Sequence, residues 1–284
     1  MILSYHPCFE ADKNILCAGR EPSDDDLAAI KAAHAVILPQ GCYRSLYEMA
    51  HNNCRHVFPN FNARFKYAGK IGQARLFQQK NVLYPRTETH LNVDAFAGHY
   101  GGFPEEPAFD FPFVFKFDWG GEGYQVYLIQ SASEFKDILQ AARKSENSGH
   151  TGFIIQEYIP SNNRSLRVVV IGQTVISYWR VQSNNQSFCS NLTRGAVIDV
   201  HSDPDLQALA VTRVKAFCSR TGINLAGFDL LFSSERKNRT PLFLEINYYF
   251  GRRGLGGSEK FYEILTTEIT KWIDSIGLRL ARNS

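Results

Sequence analysis

Short apolar runs alternate with amphipathic stretches along the chain. Met1 to Tyr5 and His34 to Leu38 read as strands, and Ser23-Asp24-Asp25-Asp26 ahead of Leu27-Ala28-Ala29-Ile30 reads as a helix start. Carboxylates there face the positive end of the helix dipole. A second helix over Tyr43 to Asn52 and a strand at His56 to Phe58 complete an alternation that predicts a small parallel sheet within residues 1–60.

Beyond it, Gly69 to Lys80 carries Ile71, Ala74, Leu76 and Phe77 at helical spacing, and Asn81 to Thr87 is expected to be extended because Pro85 cannot continue a helix. Phe111 to Phe117 and Gln125 to Ile129 are expected strands around the turn Trp119-Gly120-Gly121-Glu122-Gly123, followed by a helix over Ser133 to Lys144. Phe153 to Tyr158 is a strand, and Ser165 to Ile171 with Thr174 to Val181 forms a hairpin at Gly172. Pro204 to Thr221 reads as a long helix, Ala226 to Phe232 and Leu242 to Asn247 as strands, and Lys260 to Ile276 as a closing helix.

Composition narrows the classes. The 31 basic and 28 acidic residues leave a formal charge of +3 with no basic arm, which argues against a nucleic-acid partner. The cysteines Cys8, Cys17, Cys42, Cys54, Cys189 and Cys218 never form a C-x-x-C pair and are expected to be reduced. No stretch approaches the ~18 apolar residues of a membrane span, and the start MILSYHPCFEADKN lacks a charged leader. A cytoplasmic protein with no membrane partner is the expectation, and a homo-oligomer stays open.

Candidate chemistry gathers in four places. Lys116 ends the apolar run Phe113-Val114-Phe115 just before the glycine turn. An ammonium group in a buried strand needs a compensating anion, and glycines let backbone N–H groups approach phosphate oxygens. The alternative is a hairpin whose lysine reaches solvent. In Gly227-Phe228-Asp229-Leu230-Leu231 and Leu242-Phe243-Leu244-Glu245-Ile246-Asn247, strand alternation puts Glu245 and Asn247 on one face, which Asp229 joins if the strands pair. Such hard oxygen donors suit Mg2+ beside a polyphosphate, while a solvated sheet face is the other reading. The strand end Gln156-Glu157-Tyr158-Ile159 can present backbone groups to an adenine, or be an ordinary strand end. Arg167 and Arg180 lie on the expected hairpin; Arg180 and Arg194, the latter in Ser190-Asn191-Leu192-Thr193-Arg194-Gly195, can bind carboxylate or phosphate bidentately, while ordinary exposed arginines are the other reading.

In that order these motifs resemble the ATP-grasp superfamily, and within it the RimK-like and glutathione-synthetase-like carboxylate-amine ligases, from about Lys66 to Gly257. The resemblance implies an α/β fold in which two α/β subdomains hold ATP between antiparallel sheets, after a small parallel-sheet N-terminal domain. The domains are then 1–60 and 61–284, the latter divided into a flap-bearing subdomain at about 86–157 and a metal-binding one at about 158–284. By the same resemblance, Lys70 and Lys116 bind phosphate, Gly120, Gly121 and Gly123 form a flap, and Gln156, Glu157, Tyr158 and Ile159 form the adenine hinge. Asp229, Glu245 and Asn247 match magnesium ligands, two Mg2+ ions being expected with Mn2+ as an alternative. Arg180, Arg194 and Asn191 surround the γ-phosphate. The implied reaction activates a carboxylate as an acyl phosphate and joins it to an amine, such as that of an amino acid, with release of ADP and phosphate. An ATP-grasp-fold small-molecule kinase and a non-catalytic ATP-binding module remain as alternatives.

Departures from the family pattern mark the substrate end. Ser165-Leu166-Arg167 replaces a common D-x-R, with Arg167 a candidate substrate contact, and Tyr248 to Gly257 replaces an S-P-G-like turn. There Arg252 or Arg253 is expected to select an anionic substrate walled by Tyr248 or Tyr249. Trp119 and Tyr124 flank the flap glycines, and Gln125 stands where a further glycine is expected.

Overall fold

The computed structural model describes residues 1–17, 19–100, 109–120, 125–182, 195–235 and 239–280. Strands β1 (Ile2–Ser4), β2 (Lys13–Asn14), β3 (Ala35–Ile37) and β4 (Val57–Phe58) form a parallel sheet in the order β2-β1-β3-β4. Helices α1 (Asp24–Ala32) and α2 (Arg44–Asn53) lie between its strands in sequence. The first helix starts at Ser23, whose N–H donates to Asp26 at 2.7 Å, so the acidic run that marked the helix also caps it. Helices α3 (Asn62–Lys66) and α4 (Gly69–Gln79) lead to the second sheet.

That sheet is antiparallel, with β5 (Thr87–His90), β6 (Phe113–Phe117), β7 (Val126–Ile129) and β8 (Phe153–Glu157) in the order β5-β8-β6-β7. Helices α5 (Val93–His99) and α6 (Ala132–Asn147) cover it. Alternation decides its faces: Phe113, Phe115 and Phe117 enter an aromatic core with Phe96, Phe135 and Phe153, which leaves Val114 and Lys116 on the other side. The polar strand Thr87-Glu88-Thr89-His90 escapes the sequence pattern because it lies at the sheet edge and is half exposed. Helix α5 is missed as well, being set by a single cap, the Asn92 side chain accepting from the Ala95 N–H at 2.7 Å.

The third sheet is also antiparallel, in the order β11-β10-β9-β12-β13. Its strands are β9 (Arg164–Ile171), β10 (Thr174–Val181), β11 (Val197–Asp199), β12 (Leu225–Leu231) and β13 (Leu242–Asn247), packed with α7 (Pro204–Thr221) and α8 (Ser258–Ser275). One apolar cluster runs through this sheet and the parallel one, whereas the second sheet has its own. The chain is thus a mixed α/β fold of two antiparallel sheets and a small parallel-sheet N-terminal part. No helix among the described residues is long and apolar enough to cross a membrane, and the described cysteines are all free.

The hairpin β9–β10 is anchored at its turn by Glu268 of α8. This buried carboxylate accepts from the Gln173 N–H at 2.6 Å, the Thr174 hydroxyl at 3.0 Å and Lys271 at 2.8 Å. Burial alone would raise its pKa, but the bonds from Lys271, Gln173 and Thr174 outweigh that and hold it below the usual carboxylate value. A depressed folded pKa contributes stability above the unfolded value that is lost as pH falls through the folded one. Glu268→Gln is therefore expected to lower unfolding free energy by about 1–3 kcal/mol at neutral pH, and urea titrations should show the gap narrowing under acid.

Candidate active site

Two lysines reach one cleft from different elements. Lys70 is the second residue of α4, whose N-terminus is fixed by Asp118: the Ile71 N–H donates to its carboxylate at 2.7 Å. Gly69 has φ +70°, and a Cβ there would stand 2.5 Å from the same carboxylate oxygens, so glycine alone lets the acid cap the helix. The Lys70 ammonium group then donates to the Gly120 carbonyl at 3.2 Å and meets the start of the glycine turn. Gly121 and Gly123, and also Asn191 and Arg194, lie outside the described residues.

Lys116 is buried on the face of β6 turned away from the aromatic core. Its ammonium group donates to Gln156 Oε1 at 2.7 Å, Gln156 Nε2 donates to the Thr87 hydroxyl at 2.8 Å, and that hydroxyl donates to the Pro85 carbonyl at 2.7 Å. The chain of bonds fixes the lysine's position on the cleft wall. Gln156, expected in an adenine hinge, thus spends its side chain on the lysine. Glu157 turns to Arg86, accepting from its N–H at 3.2 Å with the guanidinium 3.8 Å away. Tyr158 and Ile159 line the cleft beside Tyr84 and Phe77.

The acidic side is built by register. Arg167 of β9, Asp229 of β12 and Glu245 of β13 are direct cross-strand neighbours, and Asn247 stands opposite Gly227. Asp229 is buried among donors: Arg167 Nε reaches one oxygen at 2.5 Å and an Arg167 terminal nitrogen the other at 3.2 Å. Arg180 lies 2.8 Å away, and Asn247 Nδ2 donates at 3.2 Å. Burial would raise the Asp229 pKa, but Arg167 and Arg180 outweigh it and the net direction is downward. Ser165, at the place of the family's aspartate, accepts from Arg180 at 2.9 Å. Arg167, expected as a substrate contact, is buried outside the cleft lining and pairs with Asp229.

Asp229, Glu245 and Asn247 offer two carboxylates and an amide oxygen, a hard donor set that fits a divalent cation. Among the described residues no three His, Cys, Asp or Glu side chains group around one position, so a cation held here would complete its shell with phosphate oxygens or water. Asp229 can join only by releasing one of its present donors.

Tyr248 is buried against Phe61, with ring centroids 6.3 Å apart, while Tyr249 is 71% exposed. Arg252 lies over the rings of Phe261 and Tyr262 at 4.7 and 4.4 Å, and Arg253 opens a short 3-10 turn in solvent. Sequence reasoning missed Gln73, one helical turn after Lys70. Its side chain donates to the Ile246 carbonyl at 2.9 Å and accepts from the Ile246 N–H at 2.8 Å, which ties α4 to the strand carrying Glu245 and Asn247. Its spacing from Lys70 was the available signal, but only the packing identifies the partner.

A cleft between two antiparallel sheets, lined by Lys70, Lys116, Arg180, Asp229 and Glu245, defines the ATP-grasp class of folds. The chain belongs to the RimK-like ATP-grasp family, whose domain matches residues 85–273. A probable alpha-L-glutamate ligase of Xanthomonas campestris pv. campestris is 32% identical over 148 residues, covering 51% of this chain and 47% of that protein. The chain thus spans about half the length of the curated relatives it matches. Among solved structures it is similar to the RimK domain ATP-grasp protein of Sphaerobacter thermophilus, with a TM-score of 0.59, 14% identity and coverage of 94% and 98% of the two chains. The ADP complex of N5-carboxyaminoimidazole synthetase from Staphylococcus aureus gives 0.64 at 10% identity, covering 99% and 71%.

The Arg167–Asp229 contact supplies a stability test. Arg167→Met leaves a carboxylate with half its cationic surroundings and is expected to cost about 3–5 kcal/mol, whereas adding Asp229→Leu should recover part of that loss. Denaturant unfolding of both variants measures it; a double variant no more stable than the single one would reject the pairing as the cause.

Proposed function

We propose that this protein is a Mg-ATP-dependent carboxylate-amine ligase that forms an amide bond through an acyl phosphate and releases ADP and phosphate. The observation that carries this reading is the convergence of two lysines, an arginine and an oxygen-donor row on one cleft in a RimK-like ATP-grasp chain. In this reading Lys70 and Lys116 bind the phosphates, the flap that begins at Gly120 covers them, and the segment from Gln156 to Ile159 receives the adenine. Val114, Val126, Ile154, Leu231 and Leu244 give that cleft apolar walls suited to a flat base.

A carboxylate oxygen attacks the γ-phosphorus while Lys70, Lys116 and Arg180 face the crowded phosphate oxygens, a matter of positioning and electrostatics. Arg180 enters this role from Asp229, and Arg194 and Asn191 are assigned to the same end. Asp229, Glu245 and Asn247 hold Mg2+, which when bound neutralises phosphate charge. The amine then displaces phosphate from the acyl group. The amine substrate is an amino acid, and L-glutamate heads the candidates because the curated relatives are named as probable glutamate ligases. Reaction in the cytoplasm completes the proposal.

ADP release with magnesium is to be followed across the standard amino acids and a set of dicarboxylates, with mass analysis of the product. Lys116→Met is expected to reduce the rate at least about a hundredfold, since it removes a preorganised cation from the transferring phosphate. Glu245→Gln should raise the magnesium concentration needed for ATP binding. A Lys116→Met variant as fast as the parent refutes the site, and ADP formed without any need for an amine identifies a kinase.

A further inference from the structure

The carboxyl ends of β1, β3 and β4 all point the same way because these strands are parallel. In open α/β sheets this is the edge where loops collect ligands. Here the loop after β3 carries Gln40, and Arg64 lies on α3 after β4. Tyr248, one residue beyond Asn247, packs against Phe61 at the start of α3 and lies close enough to Arg64 for the two to interact electrostatically.

Gln40 is 5% exposed, and among the described residues neither its amide nitrogen nor its amide oxygen has a hydrogen-bond partner; the Tyr248 hydroxyl, in a residue 9% exposed, also has none there. Native interiors rarely leave three such atoms in one neighbourhood, because each costs the desolvation of a polar group. Arg64 sits over the rings of Phe61 and Phe65 at 5.0 and 4.8 Å and donates to the Gln40 carbonyl at 2.9 Å, yet it pairs with no carboxylate among the described residues. Burial pulls its pKa down, with only Cys42 and Tyr248 opposing. A half-buried guanidinium bonded only to a neutral carbonyl among the described residues, an amide N–H and a phenol O–H are together complementary to one carboxylate. Exposed Tyr249 lies beside Gly41, where a Cβ would stand 4.0 Å from its ring.

We propose that Arg64, Gln40 and Tyr248 form the subsite for the carboxylate of the amino-acid substrate that the reaction leaves unactivated. The proposal rests on the ligase reading and assigns its substrate recognition to the N-terminal part of the chain. Arg252, committed to Phe261 and Tyr262, is then not the principal anion contact.

The test compares the wild type with Gln40→Leu, Tyr248→Phe and Arg64→Met, using the amino acid that drives ADP release fastest and its carboxamide. Gln40→Leu and Tyr248→Phe should melt no lower than the wild type, since they remove buried groups that lack partners, yet raise KM for the amino acid about tenfold. Arg64→Met should raise it about a hundredfold and abolish the preference for the acid over the carboxamide, with KM for ATP unchanged. If Arg64→Met fails to fold, Arg64→Lys, which keeps the charge but loses the planar fork, carries the same comparison. Lower melting temperatures with unchanged KM for the amino acid would make these residues structural and overturn the subsite. A wild type that releases no ADP with any amino acid would overturn the ligase reading itself, whereas an active wild type with unaffected variants overturns the subsite alone.

Discussion

A buried carboxylate cannot remain charged without compensation, and the third sheet is organised around supplying it. Asp229 sits in the middle strand of a row that brings Arg167 from one side and Glu245 from the other, while Arg180 approaches from β10 and Asn247 from further along β13. Two guanidinium groups around one carboxylate leave excess positive charge, and Glu245 faces that excess. The arrangement fixes β9, β10, β12 and β13 relative to one another. It also stores an arginine, Arg180, at the wall of the cleft where anionic phosphate would compete for it.

The lysines are held by a different device. Each is placed by a neutral or helix-capping partner, Gln156 for Lys116 and Asp118 for the helix that bears Lys70. Both ammonium groups line the same cleft. Gln73 couples this side to the acidic one through the backbone of Ile246, so the helix of Lys70 and the strand of Glu245 and Asn247 are tied together despite their distance in sequence.

The N-terminal sheet contributes by the direction of its strands. Their carboxyl ends meet the segment after Asn247, joining an apolar core that spans both sheets. Tyr248 is part of that core through Phe61, which explains why an aromatic residue stands where a small turn was expected.

Elements with strong periodicity were legible in the chain itself. The apolar spacing of residues 69–80, the alternation in Leu242-Phe243-Leu244-Glu245-Ile246-Asn247 and the turn at Gly172 each state their structure locally, because backbone geometry repeats over few residues. Edge strand β5 and helix α5 did not, since exposure erases the first pattern and one cap decides the second. Motif order likewise disclosed the family and the lysines, acids and hinge to look for. What only the tertiary structure decided is which groups meet: Arg167 with Asp229, Lys116 with Gln156, and Arg64 with the Gln40 carbonyl. Side-chain pairing across strands distant in sequence depends on register and packing, and a linear pattern carries neither.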